Sequence, residues 1–296
     1  MQQAVVVVIT AVLVAGVVAV GAGTGSVSAL GVPVPIWVAA VAFAINWLAF
    51  VPAYLRRTER FYDLVGSVTF LATIGLAVAL SGHTDARALV PAALVGVWAI
   101  RLGAFLFRRV HQDGGDGRFD EIKHSAPRFF VAWTMQALWA CVTASSAVAS
   151  ITARTRPNVD VTFVIGAVVW MVGFVVEVEA DRQKRAFKKD PRGERFIRTG
   201  LWAWSRHPNY FGEIVLWLGV WCLSWSTLDG ASFVVVLSPL LVIVLLTRIS
   251  GIPLLETRAD ARFGDDVEYQ RYKATTPVLI PRRPQSSSSS SSSSIS

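Results

Sequence analysis

The run Trp170-Met171-Val172-Gly173-Phe174-Val175-Val176-Glu177-Val178-Glu179-Ala180-Asp181-Arg182-Gln183-Lys184-Arg185 decides the fold. An apolar stretch passes without a break into a run of acids and bases. Counted back to residue 160, the apolar part is about 20 residues long, enough to cross roughly 30 Å of hydrocarbon at about 1.5 Å per residue. Its residues do not alternate with period two, and only helices or closed barrels satisfy the backbone in lipid. The stretch therefore reads as a membrane helix that leaves the bilayer through a charged end.

The rest of the chain repeats the pattern. Of 296 residues, 53% are hydrophobic and 16% charged, whereas soluble domains carry about 25% charged residues. Mean hydropathy is +0.51. Apolar blocks fall at about 4–22, 35–55, 61–80, 88–107, 128–152, 160–180, 211–226 and 231–249. The fold class is all-α, a polytopic transmembrane bundle of 7–8 spans forming one domain over residues 1–283. Residues 251–283 are amphipathic and polar. Met1-Gln2-Gln3 lacks the positive charge of a signal peptide, so the first block is expected to be a retained helix. Residues 284–296 are dominated by the unbroken serines Ser286 to Ser294. Such a segment cannot bury apolar surface and is expected to be a disordered tail.

The net charge of +8 does not indicate nucleic acid, because the bases sit in loops between spans. With the amino terminus and the exits of the even-numbered spans on one side, that side holds 24 Lys and Arg. The other side holds Arg87, Arg154 and Arg156 alone, and Arg101 lies within a span. This asymmetry predicts a multi-pass protein of the cell membrane with both termini cytoplasmic. Membrane lipids are its first partners, and the basic loops suit anionic headgroups. Cys141 and Cys222 lie in apolar blocks and read as small buried hydrophobes. His83, His111 and His124 are dispersed and read as solvated, and no metal-ligand spacing occurs.

Candidate chemistry gathers in residues 177–213. Glu177, Asp181, Lys184, Arg185 and Lys188 recur at three- and four-residue steps along one helical face. Carboxylates there could accept hydrogen bonds from hydroxyl or amide groups, and the bases could hold phosphate. Arg195, Arg198 and Arg206 carry forked donors suited to phosphate oxygens. Trp202 and Trp204 are expected to belt the interface or to stack on a planar ring. In Ser205-Arg206-His207-Pro208, the proline forces His207 into an extended form, which makes this a break before the next helix. Asn209 and Glu213 then share a face. A carboxylate followed by Ile214-Val215-Leu216-Trp217 is costly in a membrane and points to function. Arg101 sits mid-span and is expected to pair with a buried acid. The glycine-rich loop around Arg118 could cover a phosphate.

Ser205-Arg206-His207-Pro208-Asn209-Tyr210-Phe211-Gly212-Glu213 resembles a bacterial membrane family related to the steroid 5-alpha-reductases. Ala180-Asp181-Arg182-Gln183-Lys184, Thr199-Gly200-Leu201-Trp202, Leu255-Glu256 and Tyr269-Gln270-Arg271-Tyr272-Lys273 carry the same resemblance. So do Arg101-Leu102-Gly103 and Asp116-Gly117-Arg118-Phe119-Asp120, and the similarity covers roughly 40–283. The resemblance implies a seven-helix-type core that binds NADPH from the cytosolic side and reduces an activated carbon–carbon double bond. It implies cofactor roles for Asp181, Arg195, Asn209 and Glu213, with Arg118 as a further contact. Arg185, Arg206 and His207 join them from the charge pattern.

Two positions depart from the family. Trp98 stands near the place of its carbonyl-polarising Tyr, and the second helix offers Asn46 and Tyr54 where the family has a Glu. Tyr54, Tyr62, Arg101 and Tyr210 are the replacement donors, with Glu213 beside them. The substrate is expected to be a hydrophobic small molecule, steroid- or isoprenoid-like, entering from the bilayer. Two alternatives stay open. One is a methyltransferase of the isoprenylcysteine carboxyl methyltransferase type, which shares the Arg-His-Pro-x-Tyr turn and a nearby carboxyl-terminal Glu and binds S-adenosylmethionine. The other is a non-catalytic lipid-binding protein. The oligomeric state is left open.

Overall fold

The computed structural model describes residues 1–113, 117, 119–190 and 193–284. Arg118 and the serine tail lie outside the described residues. Among the described residues ten α-helices follow one another: α1 Gln2–Gly23, α2 Val34–Leu55, α3 Tyr62–Ser81, α4 Ala86–Asp113, α5 Ala126–Thr152, α6 Val161–Lys189, α7 Pro208–Ser224, α8 Leu237–Val244, α9 Ile252–Phe263 and α10 Val267–Thr275. Among the described residues seven helical stretches are long and apolar enough to cross a membrane, and the protein is a multi-pass all-α membrane protein. The expected first six spans are found, with α4 and α6 running on past their expected ends at 107 and 180 to Asp113 and Lys189.

The last two expected spans differ in kind. Helix α7 has 17 residues, about 26 Å at the α-helical rise and short of a full bilayer core. The expected span at 231–249 is a composite. A 3-10 segment at Gly230–Val236 is started by a capping box between Asp229 and Ser232. It passes into α8, then a π-turn at Leu245–Ile249, and Gly251 separates it from α9. A short hairpin that pairs two residues on each strand, β1 Ser28–Ala29 with β2 Val32–Pro33, also escaped sequence reading. Its turn puts Leu30 and Gly31 at positive φ, as tight two-residue hairpins require.

The residues divide into two compact units, Met1–Met171 with Leu216–Ile243, and Val172–Val215 with Val244–Ser296. In the first unit α5 is the central helix. Nearly every residue from Thr134 to Thr152 is buried, because alanine, serine and threonine let neighbouring backbones approach closely. Their hydroxyls reach backbone carbonyls: Ser146 donates to Val235 O at 3.0 Å and Ser150 to Arg87 O at 2.9 Å. Helix α1 buries Ala11, Ala15, Val18 and Ala19, while Val6, Leu13 and Val17 are exposed, as a lipid-facing helix should be. A satisfied polar network crosses the interior. Asn46 donates to Ala42 O and Thr69 Oγ1, and Gln136 donates to Asn46 Oδ1 and Tyr62 O.

His83 is not solvated. It is half-buried, with Nδ1 at 2.9 Å from Ile151 O and 2.8 Å from an Arg156 nitrogen. Arg156 also pairs with Asp85. Arg87 is buried and donates to Pro157 O and Asn158 O, each at 2.6 Å, and to Asp160 at 3.0 Å. These groups bind together the ends of α3 and α5 and the starts of α4 and α6.

Glycine sets the approach of α6 to α7 in both units. In the first, a Cβ on Gly219 would lie 2.5 Å from Trp170 N and 2.7 Å from Gly166 O. In the second, a Cβ on Gly212 would lie 2.6 Å from Glu177 N and 2.6 Å from Gly173 O. In each unit the pair of glycines lets the two helix backbones approach closely.

Candidate functional site

The second unit holds most of the predicted site residues. The charged carboxyl-terminal end of α6 places Glu177 and Asp181 one turn apart, with 3% and 6% of their surfaces exposed. Two carboxylates at that depth are expensive unless the fold or a ligand supplies donors. Arg182 turns outward, where both guanidinium arms meet Glu179 at 2.6 and 2.7 Å. Arg185 is exposed on the same helix.

The chain then returns to α6. Gly200 has φ +60°, in the left-handed region that glycine occupies without strain. This lets Leu201 N donate to Gln183 Oε1 at 2.9 Å. Gln183 in turn donates to Glu179 at 2.8 Å. Trp202 is buried, contrary to the interface-belt and ring-stacking expectations. Its Nε1 donates to Ala180 O at 3.1 Å, and Lys184 Nζ lies 4.7 Å from the ring centroid. Trp204 is 45% exposed, as a belt residue is.

The Ser205-Arg206-His207-Pro208 turn is held from several directions. Ser205 Oγ accepts from His207 N at 3.1 Å and donates to Leu279 O at 2.8 Å. Arg206 N donates to Pro277 O at 2.9 Å, and Arg282 N donates to Trp204 O at 3.0 Å. Residues 277–282 thus strap the turn. Glu256 on α9 reaches both functional side chains: one oxygen pairs with Arg206, and the other lies 2.7 Å from His207 Nε2. Arg206 Nε is buried and has no hydrogen-bond partner among the described residues. The His207 ring stacks on Tyr210, with centroids 5.7 Å apart and planes at 10°.

Pro208 opens α7, where a missing N–H costs nothing. Asn209 Nδ2 lies 3.4 Å from Asp181 Oδ1, and the close approach at Gly212 brings the start of α7 against Glu177. Glu213, half-buried, follows Asn209 by one turn. Asp181, Arg206, His207, Asn209, Tyr210 and Glu213 therefore all lie on the α6 exit and the α7 entry.

Arg195 stands at a different edge. It is 62% exposed and pairs with Asp266 at 3.1 Å. Arg198 pairs with Glu268 at 2.7 Å. Beneath them Phe196 packs against Phe263, Tyr269 and Tyr272. Burial pushes the Tyr269 and Tyr272 phenols well above their ordinary range. Tyr272 donates to Trp202 O at 2.8 Å, which ties α10 to the turn.

Tyr54 and Arg101 belong to the first unit. Tyr54 stacks on Phe50 at 5.6 Å, and the Arg101 guanidinium lies 5.8 Å from the Phe105 ring. Among the described residues no group of His, Cys, Asp and Glu could hold a metal ion. Sequence reading missed two parts of the site. It quoted Glu256 without giving it a role, and it gave residues 277–282 none. The Pro277-Val278-Leu279-Ile280-Pro281 run in an otherwise polar segment was the available signal for the strap.

Buried acids at the exit of α6 and an Arg-His pair clamped at the entry of α7 are the candidate site of a multi-pass membrane protein. The chain belongs to the family described as "Protein of unknown function (DUF1295)", which matches residues 49–276. Local similarity relates it to the steroid 5-alpha-reductases. It is 42% identical over 65 residues to Steroid 5-alpha-reductase DET2 of Arabidopsis thaliana, covering 22% of this chain and 25% of that protein. It is 34% identical over 77 residues to 3-oxo-5-alpha-steroid 4-dehydrogenase 1 of Bos taurus, covering 26% and 30%. For the Homo sapiens protein of the same name the figures are 36% over 75 residues, 25% and 29%. The matched stretch thus spans less than a third of each of these relatives. No solved structure matches the chain.

Proposed function

We propose that this protein is a reductase of the cell membrane, with both termini cytoplasmic, that uses NADPH to reduce an activated C=C bond in a hydrophobic, steroid- or isoprenoid-like substrate. The observation that carries the reading is the Arg206 guanidinium. It is held by Glu256 and still has a buried, unpartnered Nε–H. A buried donor without a partner costs about 1–3 kcal/mol, and an anionic or hydroxylic ligand oxygen would satisfy it. The acids nearby add acceptors. Asp181, already oriented by Asn209, can take a ribose hydroxyl, and Glu213 one turn further on can take an amide N–H. Arg185 and Arg195 are the outer groups for phosphate, and Arg118 would join them.

The cofactor, when bound, supplies hydride to the β carbon of an enone. The chain's part is to bind and orient, and to polarise the carbonyl with a fixed donor. Tyr210, immobilised by its stack on His207, is one candidate donor. The apolar helices admit the substrate from the lipid side. A second reading keeps one specific support. The Arg206-His207 turn clamped by Glu256 also suits a carboxylate ligand such as S-adenosylmethionine in a methyltransferase.

Calorimetry on detergent-purified protein with NADPH, NADH and S-adenosylmethionine tests both. The reductase reading expects NADPH to bind most tightly, and Asn209→Ala and Glu213→Gln each to weaken it about tenfold. Binding of S-adenosylmethionine alone would replace the reading with the second one.

A further inference from the structure

His207 is held through its backbone and through its ring. Its backbone N–H goes to Ser205 Oγ at 3.1 Å, and its Nε2 lies 2.7 Å from Glu256 Oε1. A carboxylate only accepts, so the shared proton is on Nε2. In the neutral ring the lone pair is then on Nδ1, because the hydrogen bond at one imidazole nitrogen sets the role of the other. No hydrogen bond from the described residues reaches Nδ1. The ring cannot turn to exchange its nitrogens. It is 5% exposed, stacked on Tyr210, and carried by a backbone fixed between Ser205 and Pro208.

The same carboxylate holds Arg206 with its other oxygen. One side chain on α9 therefore sets two consecutive residues that differ in what they can offer. Arg206 presents a donor, its unpartnered Nε–H. His207 presents an acceptor, Nδ1.

We propose that Glu256 is the positioning residue of the site: it locks His207 as the Nε2–H tautomer, so that Nδ1 accepts a hydrogen bond from a hydroxyl or amide N–H of the ligand while Arg206 donates to a neighbouring ligand oxygen. Adjacent donor and acceptor of this kind fit a polyhydroxylated group, such as a ribose, better than a phosphodiester, which has no hydrogen to give to Nδ1. The assignment of NADPH as the ligand rests on the function proposed above; the tautomer and its dependence on Glu256 do not.

The test uses the full chain in detergent, labelled with 15N in its four histidines. His207→Gln identifies the His207 signals by their loss. In the neutral ring the wild-type spectrum is expected to show a protonated Nε2 and a bare Nδ1. Glu256→Gln should mix the tautomers, and Glu256→Asp should restore part of the wild-type pattern. Adding NADPH should move Nδ1 more than Nε2, and Glu256→Gln should weaken NADPH binding about tenfold or more while His207→Gln adds little to that loss. A wild-type ring protonated on Nδ1 overturns the proposal even if no Glu256 variant folds. So does a tautomer unchanged in folded Glu256→Gln, or an Nδ1 signal indifferent to NADPH that calorimetry shows bound. If NADPH does not bind but the tautomer follows Glu256, the positioning role stands and the cofactor reading fails.

Discussion

Replacing Gly212 by alanine adds one methyl group where two helix backbones meet. The new carbon would lie 2.6 Å from Glu177 N, 2.6 Å from Gly173 O and 3.0 Å from Glu177 Cα. All three are backbone atoms of α6, so no side chain can turn aside. Restoring ordinary contact at about 3.4 Å means parting the helices by roughly 0.8 Å. Overpacking of this kind costs about 1–3 kcal/mol; with three rigid contacts we expect about 2 kcal/mol, close to a 30-fold change in the folded-to-unfolded ratio. Gly16→Ala and Gly75→Ala are matched controls, because nothing lies within 4 Å of a Cβ at either position. Thermal unfolding in detergent should place Gly212→Ala clearly below wild type and both controls at or above it, since alanine is the better helix former by about 1 kcal/mol. The site should loosen as well, because Asn209 and Glu213 flank the contact. If Gly212→Ala unfolds with the controls, the helices do not approach as described.

Other perturbations separate the site's parts. Gly200→Ala puts a side chain at φ +60° and 2.4 Å from Gln183 Oε1; it should cost about 1–2 kcal/mol in the same unfolding assay. Arg195→Ala removes an exposed ion pair with Asp266 and should change stability by no more than about 1 kcal/mol, so a tenfold loss of NADPH affinity would mark a ligand contact. The raised phenols of Tyr269 and Tyr272 favour the folded state while protonated. That stability is complete below the unfolded tyrosine pKa near 10 and falls as pH rises above it. Tyr272→Phe should flatten this alkaline decline, at a cost of about 1 kcal/mol for the hydrogen bond to Trp202 O.

The spans were legible because a bilayer imposes a minimum apolar length, and α1 to α6 meet it. The composite at 230–263 was not, because its capping box at Asp229 and its π-turn at Leu245–Ile249 leave the apolar count unchanged. The helical face of Glu177 and Asp181 and the break at His207-Pro208 could be read from spacing and proline. Glu256 could not be given its role, since it meets Arg206 and His207 from 50 and 49 positions away. Trp202 and His83 were misread for one reason: an aromatic or imidazole beside charged residues looks interfacial until the fold supplies Ala180 O or Ile151 O as its partner.

The strap of residues 277–282 also constrains how the protein can be made. Ser205 waits for Leu279, 74 positions later in the chain, so the turn that holds Arg206 and His207 cannot be closed while translation is still passing through the intervening span. Membrane insertion and closure of the turn are therefore separate events in time, with the second following release of the strap from the ribosome. A nascent chain stalled before Pro277 would be inserted in the bilayer yet lack the backbone bonds that close the turn.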